Sequence, residues 1–378
     1  MASNQSICAF PWNSVAVRPN GDAVPCCKFK SYLTKQSWGN VQDPNFRNNA
    51  LWTNLRQRML QGEPVNECLT CYQEESSGAE SMRVNSLQQL QPQVNQVAPI
   101  TWLEMSFSNL CNLACVSCGS YCSSKWGAED HRHKRSRFPQ VMLEHNTDLE
   151  GQDLSQVVTL KIIGGEPFME QKRFISLMRR LNLSNIELCI TTNGTVLPNQ
   201  ELQELISQCR LVSIHLSLDG IDRIAEWYRW PTKFAEVKET MRQMESWWAD
   251  CPNVYLYTKT LINIYNVWTL DHMVNYIHTE FPLWEMYFDW IYSPAWQSIN
   301  ILSEDLKQEL NTKLQLWETT VTGNWNPKFG NPFAISRDRL HDPAQSNLAE
   351  FKQRTLALAR ERNQDVINMV PEIECLIN

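Results

Sequence analysis

Three cysteines in one short loop constrain this chain more than any other feature. Cys111, Cys115 and Cys118 are separated by three and then two residues. With 13 cysteines in 378 residues, random placement yields that pattern only about 0.015 times. Thirteen is an odd number. The start, MASNQSICAFPW, has neither the basic flank nor the apolar stretch of a signal peptide, and no apolar run reaches the roughly 18 residues of a membrane span. The expected compartment is therefore the cytoplasm, where thiols serve as ligands rather than as halves of disulfides. Three thiolates in one loop suit a 4Fe-4S cluster with one iron left without a protein ligand. A zinc site is the competing reading, with Cys122 or His131 as fourth ligand.

The length suggests one large domain and a smaller one. Hydrophobic residues are 43% and charged residues 20%, enough apolar surface for a sizeable core and against disorder. A formal charge of −7 disfavours non-specific binding to nucleic acid or to an anionic membrane. Beyond residue 100, apolar and β-branched runs recur at 101–107, 157–163, 186–192, 211–218, 254–262 and 285–291. Helical patterns lie between them, as in TKFAEVKETMRQMESWW, where Phe234, Val237, Met241, Met244 and Trp248 share one face. Strand and helix in alternation imply an α/β fold with a parallel sheet, open or curled into a partial barrel. Sites in such folds lie at the carboxyl ends of the strands.

Those ends are polar and rich in glycine. The first strand runs into the three-cysteine loop. The second closes in Gly164-Gly165-Glu166-Pro167, the third in Thr191-Thr192-Asn193-Gly194 and the fourth in Ser217-Leu218-Asp219-Gly220. Small residues at these points let a ligand approach the backbone. Over residues 101 to about 292 the chain resembles the radical S-adenosylmethionine (radical SAM) superfamily: Cys111, Cys115 and Cys118 match its cysteine motif, and Gly164 to Pro167 its GGEP motif. The resemblance implies a partial (β/α)6 barrel in which SAM chelates the open iron, and reductive cleavage yields a 5′-deoxyadenosyl radical that takes a hydrogen from substrate. It implies that Gly164 and Gly165 admit SAM and that Glu166 accepts from the methionine amine. Asn193, Ser217 and Asp219 would line the ribose and carboxylate, and Arg229 would pair with the carboxylate. It also implies a ferredoxin- or flavodoxin-type reductant. One departure is Ser117, which stands where the family has an aromatic residue; Tyr121 or Trp126 would then meet the adenine.

The first hundred residues carry a second set. Val15, Val17 and Val24 flank Pro19-Asn20-Gly21-Asp22, a hairpin pattern that brings Cys8 and Cys26 together. A helix across LWTNLRQRMLQG returns the chain to Cys68-x2-Cys71. The segment resembles the SPASM or twitch extension, which implies an auxiliary 4Fe-4S cluster held by Cys8, Cys26, Cys68 and Cys71, with Cys27 as the only spare; a structural zinc ribbon is the alternative. In the family this module follows the barrel, whereas here it comes first. The expected organisation is an auxiliary module over 1–85, a linker over 86–100, the radical SAM barrel over 101–292 and a helical extension over 293–378. Cys189, Cys209, Cys251 and Cys375 read as small core hydrophobes. The run His131 to Arg137 reads as a solvated turn and the fifteen tryptophans mainly as core. The auxiliary module implies a peptide or protein substrate undergoing oxidation, crosslinking or epimerisation. A small molecule or nucleotide is the alternative substrate, and a non-catalytic iron-sulfur or zinc protein the alternative class.

Overall fold

The computed structural model describes residues 6–34, 36–76, 80–89, 98–145, 149 and 151–377; most of the polar linker SLQQLQPQVNQ lies outside them. The chain packs as two compact units. The first comprises Met1–Cys111, Ser120–Thr191 and Pro198–Val212, the second Asn112–Gly119, Thr192–Leu197 and Ser213–Asn378.

Eight strands are hydrogen-bonded in one sheet: β1 (Ser14–Val17), β2 (Ala23–Val24), β3 (Trp102–Met105), β4 (Thr159–Ile162), β5 (Glu187–Thr192), β6 (Leu211–Ser217), β7 (Val254–Ile262) and β8 (Trp284–Trp290). Their order, β2-β1-β3-β4-β5-β6-β7-β8, leaves β2 and β8 at the edges, so the sheet is not closed. The last six strands fall where the alternation places them. The first two exceed the expected six: the N-terminal hairpin joins the same sheet, with β1 parallel to β3 and Val15 opposite Leu103.

Side-chain periodicity explains the strands and helices. Along β5 the buried residues are Leu188, Ile190 and Thr192, and their neighbours are half-buried, the period-two signature of a strand. In the second unit the helix Phe234–Trp248 buries all five residues of the face read from sequence. Each large apolar side chain there contributes about 1.5–3 kcal/mol of burial. In the first unit the helix Ala50–Leu60 starts at Asn49, whose Oδ1 accepts from the Trp52 amide at 3.1 Å, a cap of about 1 kcal/mol. Arg56 donates from Nε to Pro11 O at 2.8 Å, and Arg47 from Nη2 to Ala98 O at 2.9 Å. Burial pulls both guanidinium groups down to about 10. These arginines satisfy carbonyls that would otherwise be buried without partners.

The segment after 293 is helical, with Glu304–Thr320, Pro332–Arg339 and Leu348–Glu361 as its main elements. No helix among the described residues is long and apolar enough to cross a membrane. None of the thirteen cysteines is in a disulfide. Of the four read as core hydrophobes only Cys209 is buried; Cys189 and Cys251 are half-buried and Cys375 is exposed, because each sits on a face or terminus that packing leaves open. The His131–Arg137 run is largely exposed.

Candidate functional site

In the first unit, the turn after β4 is locked against the residue that precedes Cys111. Gly164 (φ 79°) and Gly165 (φ 54°) are left-handed. A Cβ on Gly165 would lie 2.3 Å from Leu110 O, and one on Gly164 2.2 Å from Ser106 Oγ, so only glycine fits. The Glu166 amide donates to the same Leu110 O at 2.7 Å. The Glu166 side chain is buried, and its Oε1 accepts from the Phe168 amide at 3.2 Å, capping the turn Pro167–Met169. Cys111 itself is held at its amide by Ser124 Oγ (3.1 Å). The Ser124 amide reaches Asn109 O (2.7 Å), and Asn109 Nδ2 reaches Ser120 O (2.9 Å). Asn109 thus ties the start of the loop to its end.

Cys115 and Cys118 belong to the second unit, with the ends of β5 and β6. Asn193 donates from Nδ2 to Asn112 Oδ1 (3.0 Å) and accepts at Oδ1 from the Thr195 amide (2.9 Å) and hydroxyl (2.6 Å), while Asn112 Nδ2 donates to Thr195 Oγ1 (2.8 Å). Ser217 is the half-buried last residue of β6. Asp219 is fully buried and its carboxylate is engaged twice: Oδ1 accepts from the Leu261 amide at 2.7 Å, and Oδ2 lies 2.8 Å from Arg229 Nη2. The other arm of Arg229, Nη1, is 3.8 Å from Cys115 Sγ. Burial pulls the Arg229 guanidinium down, but the charges of Asp219 and Cys115 more than offset it and hold it above its ordinary value. Burial also pushes the Cys115 thiol up, with Arg229 opposing. A cation beside a buried thiol favours the thiolate that a metal needs.

The loop backbone between Cys111 and Cys118 is pinned from distant parts of the second unit. The amides of Ala114 and Val116 donate to Trp230 O and Tyr228 O, both at 2.7 Å. Their carbonyls accept from Arg362 Nη2 (2.7 Å) and Gln297 Nε2 (2.9 Å). Arg362 stacks 4.9 Å over the Trp230 ring. Gln297 Oε1 accepts from the Tyr228 hydroxyl at 2.7 Å, and Ser117 hydrogen-bonds the same tyrosine. The departure at Ser117 is therefore built into a buried polar contact with an aromatic side chain. Asn109, Asn112, Ser124, Gln297 and Arg362 carry no motif, and the sequence gives no signal for them beyond their polarity.

In the N-terminal segment Cys26 feels Cys27 most strongly as a charged neighbour, then Cys8, Cys68 and Cys71, so the hairpin and the helix return bring the four thiols of the set together with Cys27 beside them. Burial is the first cause that raises each of the four; for Cys8 it reaches about 11, with Ser86 opposing. Cys8 Sγ lies 3.4 Å from Ser86 Oγ, and Arg83, ion-paired to Glu75 (Nε to Oε1 2.9 Å), donates to Ile7 O at 2.9 Å. Four neighbouring thiols, of which Cys8 and Cys71 are buried and Cys26 and Cys68 half-buried, ionise together only if a cation compensates them. Among the described residues no three His, Cys, Asp or Glu side chains converge tightly enough for a single metal ion, which needs sulfurs within about 4 Å of one another at Zn–S distances of about 2.3 Å. The four donors are all soft sulfur, the ligand type that an iron-sulfur cluster takes. Cys27 has contacts of its own: its Sγ is 3.6 Å from Met82 Sδ and hydrogen-bonds Glu104 on β3. Burial and the Glu104 charge push it up to about 11.

The chain matches the radical SAM superfamily over residues 105–274 and the iron-sulfur cluster-binding domain SPASM over residues 8–72. Among curated proteins it is similar to the probable GTP 3′,8-cyclase of Pyrococcus abyssi, 26% identical over 156 residues, covering 39% of this chain and 43% of that protein. The probable GTP 3′,8-cyclase of Pyrococcus horikoshii is 27% identical over 146 residues, covering 38% and 42%. The chain thus spans less than half the length of these relatives. Among solved structures it is similar to anSMEcpe with bound AdoMet (14% identity, TM-score 0.36, covering 58% of this chain and 60% of that one). It is also similar to Streptococcus suis SuiB bound to precursor peptide SuiA (14% identity, TM-score 0.38, covering 68% and 61%). The domains found are those that carry 4Fe-4S clusters and use S-adenosylmethionine, and the N-terminal position of the iron-sulfur module matches the cysteine set found there. The chain is a radical SAM superfamily enzyme that carries an auxiliary iron-sulfur cluster-binding domain ahead of its radical SAM domain.

Proposed function

We propose that this enzyme cleaves S-adenosylmethionine reductively at a cluster ligated by Cys111, Cys115 and Cys118 and abstracts a hydrogen atom from a peptide or protein substrate. The observation that carries this reading is the fixed placement of the Gly164-Gly165-Glu166 turn on Leu110, immediately before Cys111. The cluster, when bound, supplies the electron for cleavage and the resulting carbon radical does the abstraction; the protein's task is geometry and exclusion of water. Gly164 and Gly165 leave room for the methionine end of SAM, and the buried Glu166 carboxylate receives its amine by a charge-assisted bond. Asn193 and Ser217 line the ribose. Arg229 pairs with the SAM carboxylate. Asp219, whose oxygens are already engaged by Leu261 and Arg229, acts by orienting that arginine.

In this reading Cys8, Cys26, Cys68 and Cys71 ligate a second 4Fe-4S cluster that accepts an electron or positions substrate, and a ferredoxin- or flavodoxin-type protein in the cytoplasm delivers the first electron. The auxiliary domain supports a peptide substrate, since the SPASM resemblance implies oxidation, crosslinking or epimerisation of peptides. A nucleotide substrate is the second reading, favoured by the similarity to the two probable GTP 3′,8-cyclases. Peptides and GTP, each labelled with deuterium, distinguish the two. Deuterium appearing in 5′-deoxyadenosine from peptide supports the first; deuterium from GTP alone overturns it.

A further inference from the structure

A cavity of about 550 Å³ opens in the first unit beside the N-terminal hairpin, and its lining includes Arg18, Cys27, Lys28, Lys30, Tyr32 and Tyr121. The chain positions of these residues are informative. Cys27 follows Cys26 of the auxiliary set, and Tyr121 comes three residues after Cys118. The cavity is therefore walled by residues that adjoin both cysteine sets.

Its charge is cationic. Lys28 is ion-paired with Glu74, and the carboxylate of Asp22, the acidic group in the lining, accepts from Asn20 Nδ2 at 2.9 Å. Arg18 donates from Nη2 to Cys27 O at 3.1 Å, which fixes its guanidinium at the cavity wall. Neither Arg18 nor Lys30 forms an ion pair among the described residues. The remaining wall is aromatic. Phe29 packs edge-on to Trp38 with ring centroids 4.6 Å apart, Trp38 is fixed by a 2.6 Å bond from Nε1 to Thr34 Oγ1, and Tyr32 is 74% exposed. A cavity with two available cations and an uncovered aromatic ring selects an anionic group next to a bulky apolar one.

We propose that this cavity binds an acidic stretch of the peptide substrate, with a carboxylate held by Arg18 and Lys30 and the adjoining side chain packed on Tyr32. This deepens the peptide reading above and rests on it. Arginine grips a carboxylate through two parallel bonds, and lysine adds a point charge. Two cations match one or two carboxylates, whereas the several charges of a nucleoside triphosphate exceed them.

The test uses the reconstituted full chain and three probes: a fluorescent peptide of alternating Glu and Tyr, its Gln-for-Glu counterpart, and GTP. Anisotropy titration is expected to show the acidic peptide binding about tenfold or more tightly than the neutral one, as loss of charge-assisted bonds implies. Arg18→Gln and Lys30→Gln should each weaken the acidic peptide by about tenfold and leave the neutral one unchanged. Lys30 is half-exposed, so K30Q keeps the proposal testable if R18Q proves unfolded by melting temperature and iron content. Equal binding of the two peptides, undiminished binding in a folded variant, or GTP binding without acidic-peptide binding overturns the proposal. Lost discrimination while 5′-deoxyadenosine still forms overturns the cavity assignment alone. Selective peptide binding by protein that leaves SAM intact supports the cavity and overturns the radical chemistry.

Discussion

The two cysteine sets of this chain are held in opposite ways. Cys111, Cys115 and Cys118 sit on a loop whose backbone is pinned at several points while Cys118 is exposed and Cys111 and Cys115 are half-buried. Cys8 and Cys71 are buried, Cys26 and Cys68 half-buried, and the four N-terminal thiols lie near one another, supported by Ser86 and by the Arg83–Glu75 pair. A pinned backbone with one exposed sulfur suits, in the proposed reading, a cluster that must present one iron to a small ligand. Four neighbouring thiols, two of them buried and none exposed, suit in the same reading a cluster ligated by protein alone. The same residue type is thus supported in two ways, by main-chain hydrogen bonds around the loop of one set and by side-chain contacts around the other.

The largest expected effects separate the two sets. Cys111→Ala should abolish SAM cleavage, whereas Cys68→Ala should retain uncoupled cleavage, lose substrate turnover and lower bound iron from about eight to about four per chain. Turnover that survives Cys68→Ala would break the comparison. Next comes Gly165→Ala: a Cβ 2.3 Å from Leu110 O at a positive φ stores about 1–3 kcal/mol of strain. This should lower kcat/KM for SAM about ten- to a hundredfold in a 5′-deoxyadenosine assay. Arg229→Gln leaves the fully buried Asp219 without its cation. It should cost about 3–5 kcal/mol in denaturant unfolding and also raise KM for SAM.

The smallest effect tests whether the C-terminal segment tunes the catalytic loop. Arg362 donates to Ala114 O and its charge is felt at Cys115. A nearby cation favours the more negative, reduced cluster, so Arg362→Gln should lower the midpoint potential by some tens of millivolts, on a scale where about 59 mV is tenfold for one electron. EPR-monitored titration reads this directly. A potential that does not move while SAM cleavage slows would assign Arg362 a purely structural role.

Much of this is legible in the sequence because it is local. The six strands of the alternating region, the buried face of Phe234–Trp248 and the GGEP turn depend on spacing within short windows. The hairpin strands β1 and β2 span only four and two residues, and nothing in them announces that β1 pairs with β3 far along the chain. Asp219 resembles a ligand-binding carboxylate in sequence, yet its oxygens are taken by Leu261 and Arg229. Cys26 and Cys27 are neighbours in the chain, yet only Cys27 hydrogen-bonds Glu104 on β3, a long-range contact that the local sequence does not announce. Gln297 and Arg362 are single polar residues in a helical segment, and only the fold shows that they hold Ala114 and Val116.

The most direct test is to incubate the anaerobically reconstituted, reduced enzyme with S-adenosylmethionine and quantify products. Methionine and 5′-deoxyadenosine should appear in equal amounts from protein holding about eight irons per chain. S-adenosylmethionine left intact by protein whose two clusters are present and reduced would contradict the proposed function.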